Sequence, residues 1–426
     1  MKELQKVKLC ELVNFQTGPF GTQFSASEYV EKGIPVINVK NIGIGKIIDD
    51  NLDFISETTR ERLSQHILHE GDIVFGRKGS VDRHAYVFLD EDGWVQGSDC
   101  IRARGKVRVN MLFLSQYLEG KSVKKQIMDS AVGSTMPSLN TDILKDIFVL
   151  LPSIKEQNKI SSVLQAISKK ISVNEKINDN LEQQAKLLYD YWFTQFDFPD
   201  ESGKPYRSSG GKMVWNEQLK MEIPFSWVCS KMENAIEAVR TGLNPRNNFK
   251  LGNGNIQYIT VKNLCLNGSL DFSGCDTIDE QARQIIHRRS DIQIDDILFA
   301  SIAPLGRCYL IQENPTNWDI NESVFSIRYN SSVLTAEYLY MNLQSEAFVK
   351  RATACSTGSI FKGIRINSLM DSEIILPPLS VTKEFSKEIK PLFALQKELD
   401  REAHTLIQLR DWLLPVLMNG QATISD

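Results

Sequence analysis

The chain is one unit written twice. Ile34-Pro-Val-Ile-Asn-Val-Lys-Asn-Ile42 returns as Ile256-Gln-Tyr-Ile-Thr-Val-Lys-Asn-Leu264, and Gly71-Asp-Ile-Val-Phe75 returns as Asp295-Asp-Ile-Leu-Phe299. Thr17-Gly18 pairs with Thr241-Gly242. Gly133-Ser134, ahead of Leu151-Pro152, pairs with Gly358-Ser359 ahead of Leu376-Pro377. Four matches in one order, each offset by roughly 222–225 residues, are hard to obtain by chance. Between them the halves differ, so a scaffold is repeated and its loops are not. A chain of 426 residues built this way is expected to fold as two similar domains.

Each half reads as mixed strands and turns followed by helix. Strand candidates lie at 34–39, 72–75 and 86–89, and again at 257–261, 297–299 and 308–311. Helical stretches are expected at 110–130 and 335–354. Each half then closes on a long helix. In the first, Ile160, Leu164, Ile167, Ile171, Asn174, Asn178, Leu181, Ala185, Leu188 and Trp192 recur at spacings of four and three. In the second, Phe385, Ile389, Leu392, Gln396, Leu399, Ala403, Leu406, Arg410 and Leu413 do the same. This is a coiled-coil seam. Helices of about 40 residues span roughly 60 Å, too long to be buried in either small domain. The expected fold is therefore α+β: two repeated mixed α/β domains, each followed by a long helix, with the helices forming an antiparallel coiled-coil rod. Asn174, Asn178, Gln396 and Arg410 either fix its register or mark a seam that drifts onto Ile177, Leu395 and Leu409. Pro391 is expected to kink or break the second helix. The boundaries read as domain 1–151, helix 152–196, polar linker 197–222, domain 223–376, helix 377–420 and tail 421–426.

Composition narrows the function. Hydrophobic residues at 42% supply enough apolar mass for two cores. Residues 1–8 are polar and basic with no apolar run after them, and apolar stretches such as 147–151 are too short to span a bilayer. A cytoplasmic protein with no membrane partner is expected. The seven cysteines are scattered with no CxxC pair, so buried thiols are expected in place of a zinc site or disulfide framework. A net charge of −4 means that any contact with nucleic acid needs locally concentrated cations or help from partners. Catalytic motifs fail one by one. Gly120-Lys121-Ser122 lacks the earlier glycine of a phosphate loop, since Ser115 stands there. Asp200 and Glu201 are adjacent where a metal nuclease needs them apart. Asn244-Pro245-Arg246 and Asn314-Pro315-Thr316 lack the second proline of a base-gripping loop. The GxG at Gly43 and Gly45 reads as a turn, and His66 and His69 as an exposed helix face without metal-ligand partners. With no catalytic, cofactor-binding or metal residue to name, a binding role is expected.

Several longer stretches carry a family likeness. They are Leu151-Pro152-Ser-Ile-Lys-Glu156-Gln157-Asn-Lys-Ile160, Leu188-Tyr-Asp-Tyr-Trp192-Phe193-Thr-Gln-Phe196, and Gly203-Lys-Pro205-Tyr206 with Gly210-Gly-Lys-Met213. Ile223-Pro224-Phe-Ser-Trp227 and Leu409-Arg410-Asp411-Trp-Leu413-Leu414-Pro415-Val-Leu417-Met418 complete the set. Together they resemble the specificity subunits of type I DNA restriction-modification systems, over essentially the whole chain. The second helix entry, Pro378 to Phe385, departs by lacking the Glu-Gln pair. Ser301-Ile-Ala-Pro304-Leu-Gly306-Arg307 matches Gly76-Arg77-Lys78-Gly79-Ser80 only loosely.

The resemblance implies a division of labour. This chain would read a bipartite, asymmetric site on double-stranded DNA, one domain per half-site, and bind no cofactor itself. The helical rod would act as a ruler for the unread spacer. Two methylating subunits would dock on the helices and bring S-adenosylmethionine, forming an adenine-specific DNA methyltransferase. Two restriction subunits would bring ATP and Mg2+ and complete a type I deoxyribonuclease for defence against foreign DNA. Candidate DNA contacts in the first half are Gln16, Thr17, Lys40, Asn41, Arg77, Lys78, Arg83, Thr135 and Met136. In the second half they are Asn244, Arg246, Lys262, Asn263, Arg307, Lys362 and Arg365. Lys40-Asn41 and Lys262-Asn263 recur, so they suit a shared role, either phosphate grip or turn formation; residues that differ suit base readout. Ile160, Leu164, Ile167, Ile171, Leu181, Leu188, Trp192, Ile389, Leu392, Leu399, Leu406 and Leu413 are expected to carry helix pairing and subunit docking. Two alternatives are an assembly scaffold that never touches DNA and a recognition segment of a fused restriction-methyltransferase. Two variable loop-bearing domains argue against the first. The two-half design and the terminal signature argue against the second.

Overall fold

The computed structural model describes residues 4–79, 81–131, 137–354 and 363–424. The chain divides into two units, Met1–Asn174 with Arg401–Asp426, and Glu175–Asp400.

In unit 1, Val13–Thr17, Cys100–Gly105, Ile73–Gly76 and His84–Tyr86 form an antiparallel sheet in that order. All four residues of Ile73–Gly76 are buried, which is why that strand is an unbroken apolar run. A second sheet orders Tyr29–Val30, Asp53–Ile55, Ile34–Ile37 and Val95–Gln96, the last pair parallel. Gln5–Lys8 pairs with Phe148–Leu151. The core gathers Val13, Ile73, Phe75, Phe113 and Val149 with Ile160 and Leu164 of the first long helix and Leu417 and Met418 of the second.

Unit 2 repeats the plan. Ile236–Thr241, Val324–Tyr329, Ile297–Ala300 and Cys308–Leu310 form the equivalent antiparallel sheet. Asp276–Ile278, Ile256–Ile259 and Trp318–Ile320 form the second, again with a parallel pair. Val228–Lys231 pairs with Glu373–Leu376. The repeated sequences are thus repeated positions. They supply the strand pair Ile34–Ile37 and Ile256–Ile259, and the central strands Ile73–Gly76 and Ile297–Ala300. Gly18 and Gly242 are fixed by close approach. A Cβ there would stand 1.9 Å from the Gly97 carbonyl oxygen and 1.7 Å from that of Ile320.

Some boundaries differ from expectation. The strand placed at 86–89 is His84–Tyr86, because His84 pairs with Phe75; Leu89–Glu91 is instead a 3-10 turn, with Glu91 accepting the Phe88 N–H. The stretch 110–130 is two helices, Met111–Leu118 and Lys121–Ser130, with Gly120 capping the latter. The stretch 335–354 likewise divides into Ala336–Gln344 and Glu346–Ala354.

The first long helix is Ile154–Tyr189, widening into a π turn at Asp190–Thr194; the second is Leu379–Met418. Within unit 1 they run antiparallel. Asn174 Nδ2 donates to Glu402 at 2.7 Å, and Lys170 Nζ lies 3.1 Å from the same carboxylate. Within unit 2, Asn178 Nδ2 donates to Asp400 at 2.6 Å. There Trp192 and Phe193 close on Phe385 at ring distances of 5.6 and 4.9 Å. Ile160, Leu164, Ile171, Leu181, Trp192, Ile389 and Leu399 are buried, whereas Ile167, Leu188, Leu392, Leu406 and Leu413 are half-buried. Asn174 is buried on the seam while Ile177, Leu395 and Leu409 are exposed. Of the two readings, the seam therefore keeps its register and does not drift. Pro391 does not break the second helix, which runs through it. Pro391 and Lys387 both face solvent, so water can satisfy the carbonyl that the missing N–H leaves free.

Three further expectations are corrected. Residues 197–222 pack onto unit 2: Phe198 stacks on Tyr206 and Trp227 at 4.7 and 4.9 Å, and the Asp197 carboxylate accepts from Ser208 N and Oγ. A hairpin, Met213–Asn216 with Met221–Pro224, follows. Aromatic burial, together with Asx-type bonds such as Asp200 Oδ1 to the Ser202 and Lys204 N–H groups, folds a segment whose composition reads as loop. His66 is buried in a 3-10 turn and not on an exposed helix face, and desolvation followed by the Arg102 charge lowers its pKa. Of the six described cysteines, all free, only Cys100 and Cys308 are buried. Among the described residues, no helix is long and apolar enough to cross a membrane.

Candidate nucleic-acid interface

In each unit the antiparallel sheet has one end where most of the candidate contacts meet. In unit 1, Thr17 pairs with Ile101, Gly18 N–H donates to the Cys100 carbonyl, and Cys100 pairs with Gly76. Gln16 and Thr17 therefore share this end of the sheet with Arg77 and Lys78, with the strand Cys100–Gly105 between them. Arg83 precedes His84, the partner of Phe75, and so joins the same end. Arg77 packs over Phe20 at 5.8 Å, and Lys78 lies 3.5 Å from Asp99. The chain at Pro137–Leu139 reaches this end through two backbone bonds, Gly79 N–H to the Pro137 carbonyl and Leu139 N–H to the Arg77 carbonyl. Thr135 and Met136, with Gly133-Ser134, lie outside the described residues.

Unit 2 builds the same end from different residues. Thr241 pairs with Phe325, Gly242 N–H donates to the Asn321 carbonyl, and Ser301 N–H donates to the Ser323 carbonyl. Asn244 and Arg246 continue from Gly242. The Arg307 carbonyl accepts the Ala300 N–H. Ile364 N–H donates to the Ser301 carbonyl, which brings Arg365 to the group. Lys362, with Gly358-Ser359, lies outside the described residues. Arg246, Lys262 and Arg365 are exposed and, among the described residues, in no ion pair.

The recurrent Lys-Asn pairs separate into two roles. Asn41 and Asn263 are buried. Asn41 Oδ1 accepts from Asn38 N–H, and its Nδ2 donates to the Ile48 and Asp50 carbonyls. Asn263 Oδ1 accepts from Thr260 N–H and Oγ1, and its Nδ2 donates to the Asp271 carbonyl. Both asparagines form the turn, so as DNA contacts they are corrected: their polar atoms are buried and engaged. Lys40 and Lys262 are exposed on the same turns, Lys40 2.8 Å from Asp53.

A second repeated device, not anticipated, ties the opposite end of each sheet. Arg104 grips Asp72 through Nε and Nη2 at 2.8 and 2.6 Å, and Arg328 grips Asp296 through the same atoms at 2.8 and 2.8 Å. Each carboxylate also accepts the N–H three residues upstream, from His69 or Gln293. The hydrogen bonds raise the pKa of both guanidinium groups. Bidentate pairs of this kind fix geometry as well as charge. The signal was available: Asp72 and Asp296 sit inside the matched strings, and Arg104 and Arg328 recur at the same offset.

The fold and the loop-bearing sheet ends define a protein with two repeated recognition-type units. Residues 1–183 match the family described as the type I restriction modification DNA specificity domain. The MjaIX type I restriction enzyme specificity subunit of Methanocaldococcus jannaschii is 24% identical over 322 residues, 74% of this chain and 70% of that protein. The HindI specificity subunit of Haemophilus influenzae is 21% identical over 413 residues, covering 83% and 87%. The crystal structure of a type I restriction-modification S subunit from M. genitalium aligns with a TM-score of 0.61 at 14% identity, covering 98% of this chain and 96% of that one. In sequence and in fold, the chain resembles type I restriction-modification specificity subunits.

Proposed function

We propose that this chain reads a bipartite DNA site, one half-site at the sheet end of each unit, for a type I restriction-modification complex. The observation that carries the reading is the repetition of one scaffold under two different sets of polar and cationic loop residues. A shared frame places the loops, and the loops differ where a base sequence would have to differ. In unit 1 the contacts would come from Gln16, Thr17, Lys40, Arg77, Lys78 and Arg83. In unit 2 they would come from Asn244, Arg246, Lys262, Arg307 and Arg365. Thr135, Met136 and Lys362 join the same proposal. The long helices would set the spacer between half-sites and dock two methylating subunits, with two restriction subunits completing the assembly. S-adenosylmethionine, ATP and Mg2+ belong to those partners in this reading, and the chain itself performs no chemistry.

Exchange of residues 1–150 for those of another specificity subunit tests the reading. Mapping methylated positions in the host genome should then show one altered half-site, with the other half-site unchanged. An unaltered methylation pattern would point to the scaffold alternative.

A further inference from the structure

Unit 2 carries a cavity of about 540 Å3 lined by Arg240, Arg283, Gln284, His287, Arg288 and Asp291. It lies between the strand Ile236–Thr241 and the helix Glu280–Ser290. Its single carboxylate, Asp291, is already held by Arg240 and by Arg328. Arg240 is thereby neutralised, while the charges of Arg283 and Arg288 are not met by Asp291. Arg283 donates from Nη2 to the Pro315 carbonyl at 2.9 Å, and its Nη1 lies 3.6 Å from Glu280. Its Nε is buried without a hydrogen-bond partner among the described residues. Arg288 is exposed and, among the described residues, in no ion pair. The next residue, Arg289, donates from Nε to Thr241 Oγ1 at 3.2 Å and so joins this helix to the sheet end described above.

Unit 1 treats the equivalent helix differently. Glu57–Arg62 has 6 residues against 11. Its Arg60 is held by Glu57 and the Gly93 carbonyl, and its Arg62 by Glu28 and the Gln23 carbonyl. Arg60 and Arg283 thus make matching contacts in the two units, each with a glutamate three residues earlier and with a backbone carbonyl, whereas Arg288 of unit 2 is left facing a cavity. The helix C-terminus contributes a partial negative charge of about one half, but the whole charge of Arg288 outweighs it. Guanidinium groups offer only donors, which suits the oxygens of a phosphate.

We infer that this cavity grips a phosphate of the DNA backbone beside the half-site of unit 2, through Arg283 and Arg288. The inference rests on the DNA-reading function proposed above. It is tested by measuring binding of the full chain to a duplex across a salt series, for the unsubstituted protein, Arg288→Ala and Lys220→Ala. Lys220 is an exposed turn residue of unit 2 that does not line the cavity. Arg288→Ala should lower the slope of log K against log salt by about one, the signature of one lost phosphate contact, while Lys220→Ala leaves it unchanged. Equal slopes for the unsubstituted protein and Arg288→Ala overturn the cavity and leave the DNA-reading function standing. If the unsubstituted chain binds no duplex, that function falls as well. A third arm uses inorganic phosphate at constant ionic strength. Suppose it raises the thermal midpoint of the unsubstituted protein and not of Arg288→Ala, while the DNA slopes are equal. The cavity then takes a free phosphate, and the DNA assignment is overturned.

Discussion

His84 is fully buried in unit 1, its Nε2 3.0 Å from the Ser115 carbonyl oxygen and 2.9 Å from Ser115 Oγ. Desolvation holds its pKa down at about 4, against an ordinary value of 6.5. The fold therefore keeps a neutral imidazole, and as pH falls the unfolded chain takes up the proton first. Stability is intact above the unfolded value and drains away between about pH 6.5 and 4. His84→Gln should flatten that limb: from pH 7 to 4.5 the natural protein should lose about 2 kcal/mol more than the variant in denaturant unfolding. Parallel acid limbs would sink the argument. The paired arginines give a graded test. Removing one partner of a buried ion pair costs about 3–5 kcal/mol. Arg328 is 17% exposed and Arg104 37%, so Arg328→Met should approach that range. For Arg104→Met, solvent screening reduces the cost to about 1–3 kcal/mol. Equal losses, or the reverse order, in equilibrium unfolding would show that exposure does not set the strength of these pairs.

Among the elements, the long helices were the most legible from sequence and the linker the least. Periodicity over ten positions survives local exceptions, so Leu164, Ile171 and Leu181 were found on the buried face. The strand repeat was legible because the same close contacts, such as Gly18 on Gly97 and Gly242 on Ile320, demand the same residues twice. The segment 197–222 was not, because its folding depends on Phe198, Tyr206 and Trp227, which no local pattern connects. The cavity residues were visible as the basic run from Arg283 to Arg289, but a basic helix run ordinarily reads as a solvated face. Only the packing of that helix against Arg240 and Thr241 gives it a concave side. The half-buried seam positions also qualify what mutation should do. Leu164→Ala, at 1% exposure, should destabilise unit 1 by about 2–5 kcal/mol. Leu406→Ala, only half-buried, should cost less than half as much in the same unfolding assay. Equal losses would mean that Leu406 is covered by more than the chain itself provides.

For the molecule as a whole, the reading of a spaced, two-part site makes a geometric prediction. Inserting seven residues into the first long helix lengthens it by roughly 10 Å, equivalent to about three base pairs. Methylation mapping should then report a changed spacer between two unchanged half-sites; altered bases with constant spacing would rule out a measuring role for the helices. The division of the chain has another consequence. Unit 2 is one continuous stretch, Glu175–Asp400, whereas unit 1 needs Arg401–Asp426 as well as Met1–Asn174. Leu417 and Met418 sit inside the unit 1 core. On the ribosome, the unit encoded first is therefore the one completed last. Until the final helix emerges, the nascent protein must carry an open apolar face on its earliest-made half. That interval is when it is most exposed to chaperone capture or to proteolysis.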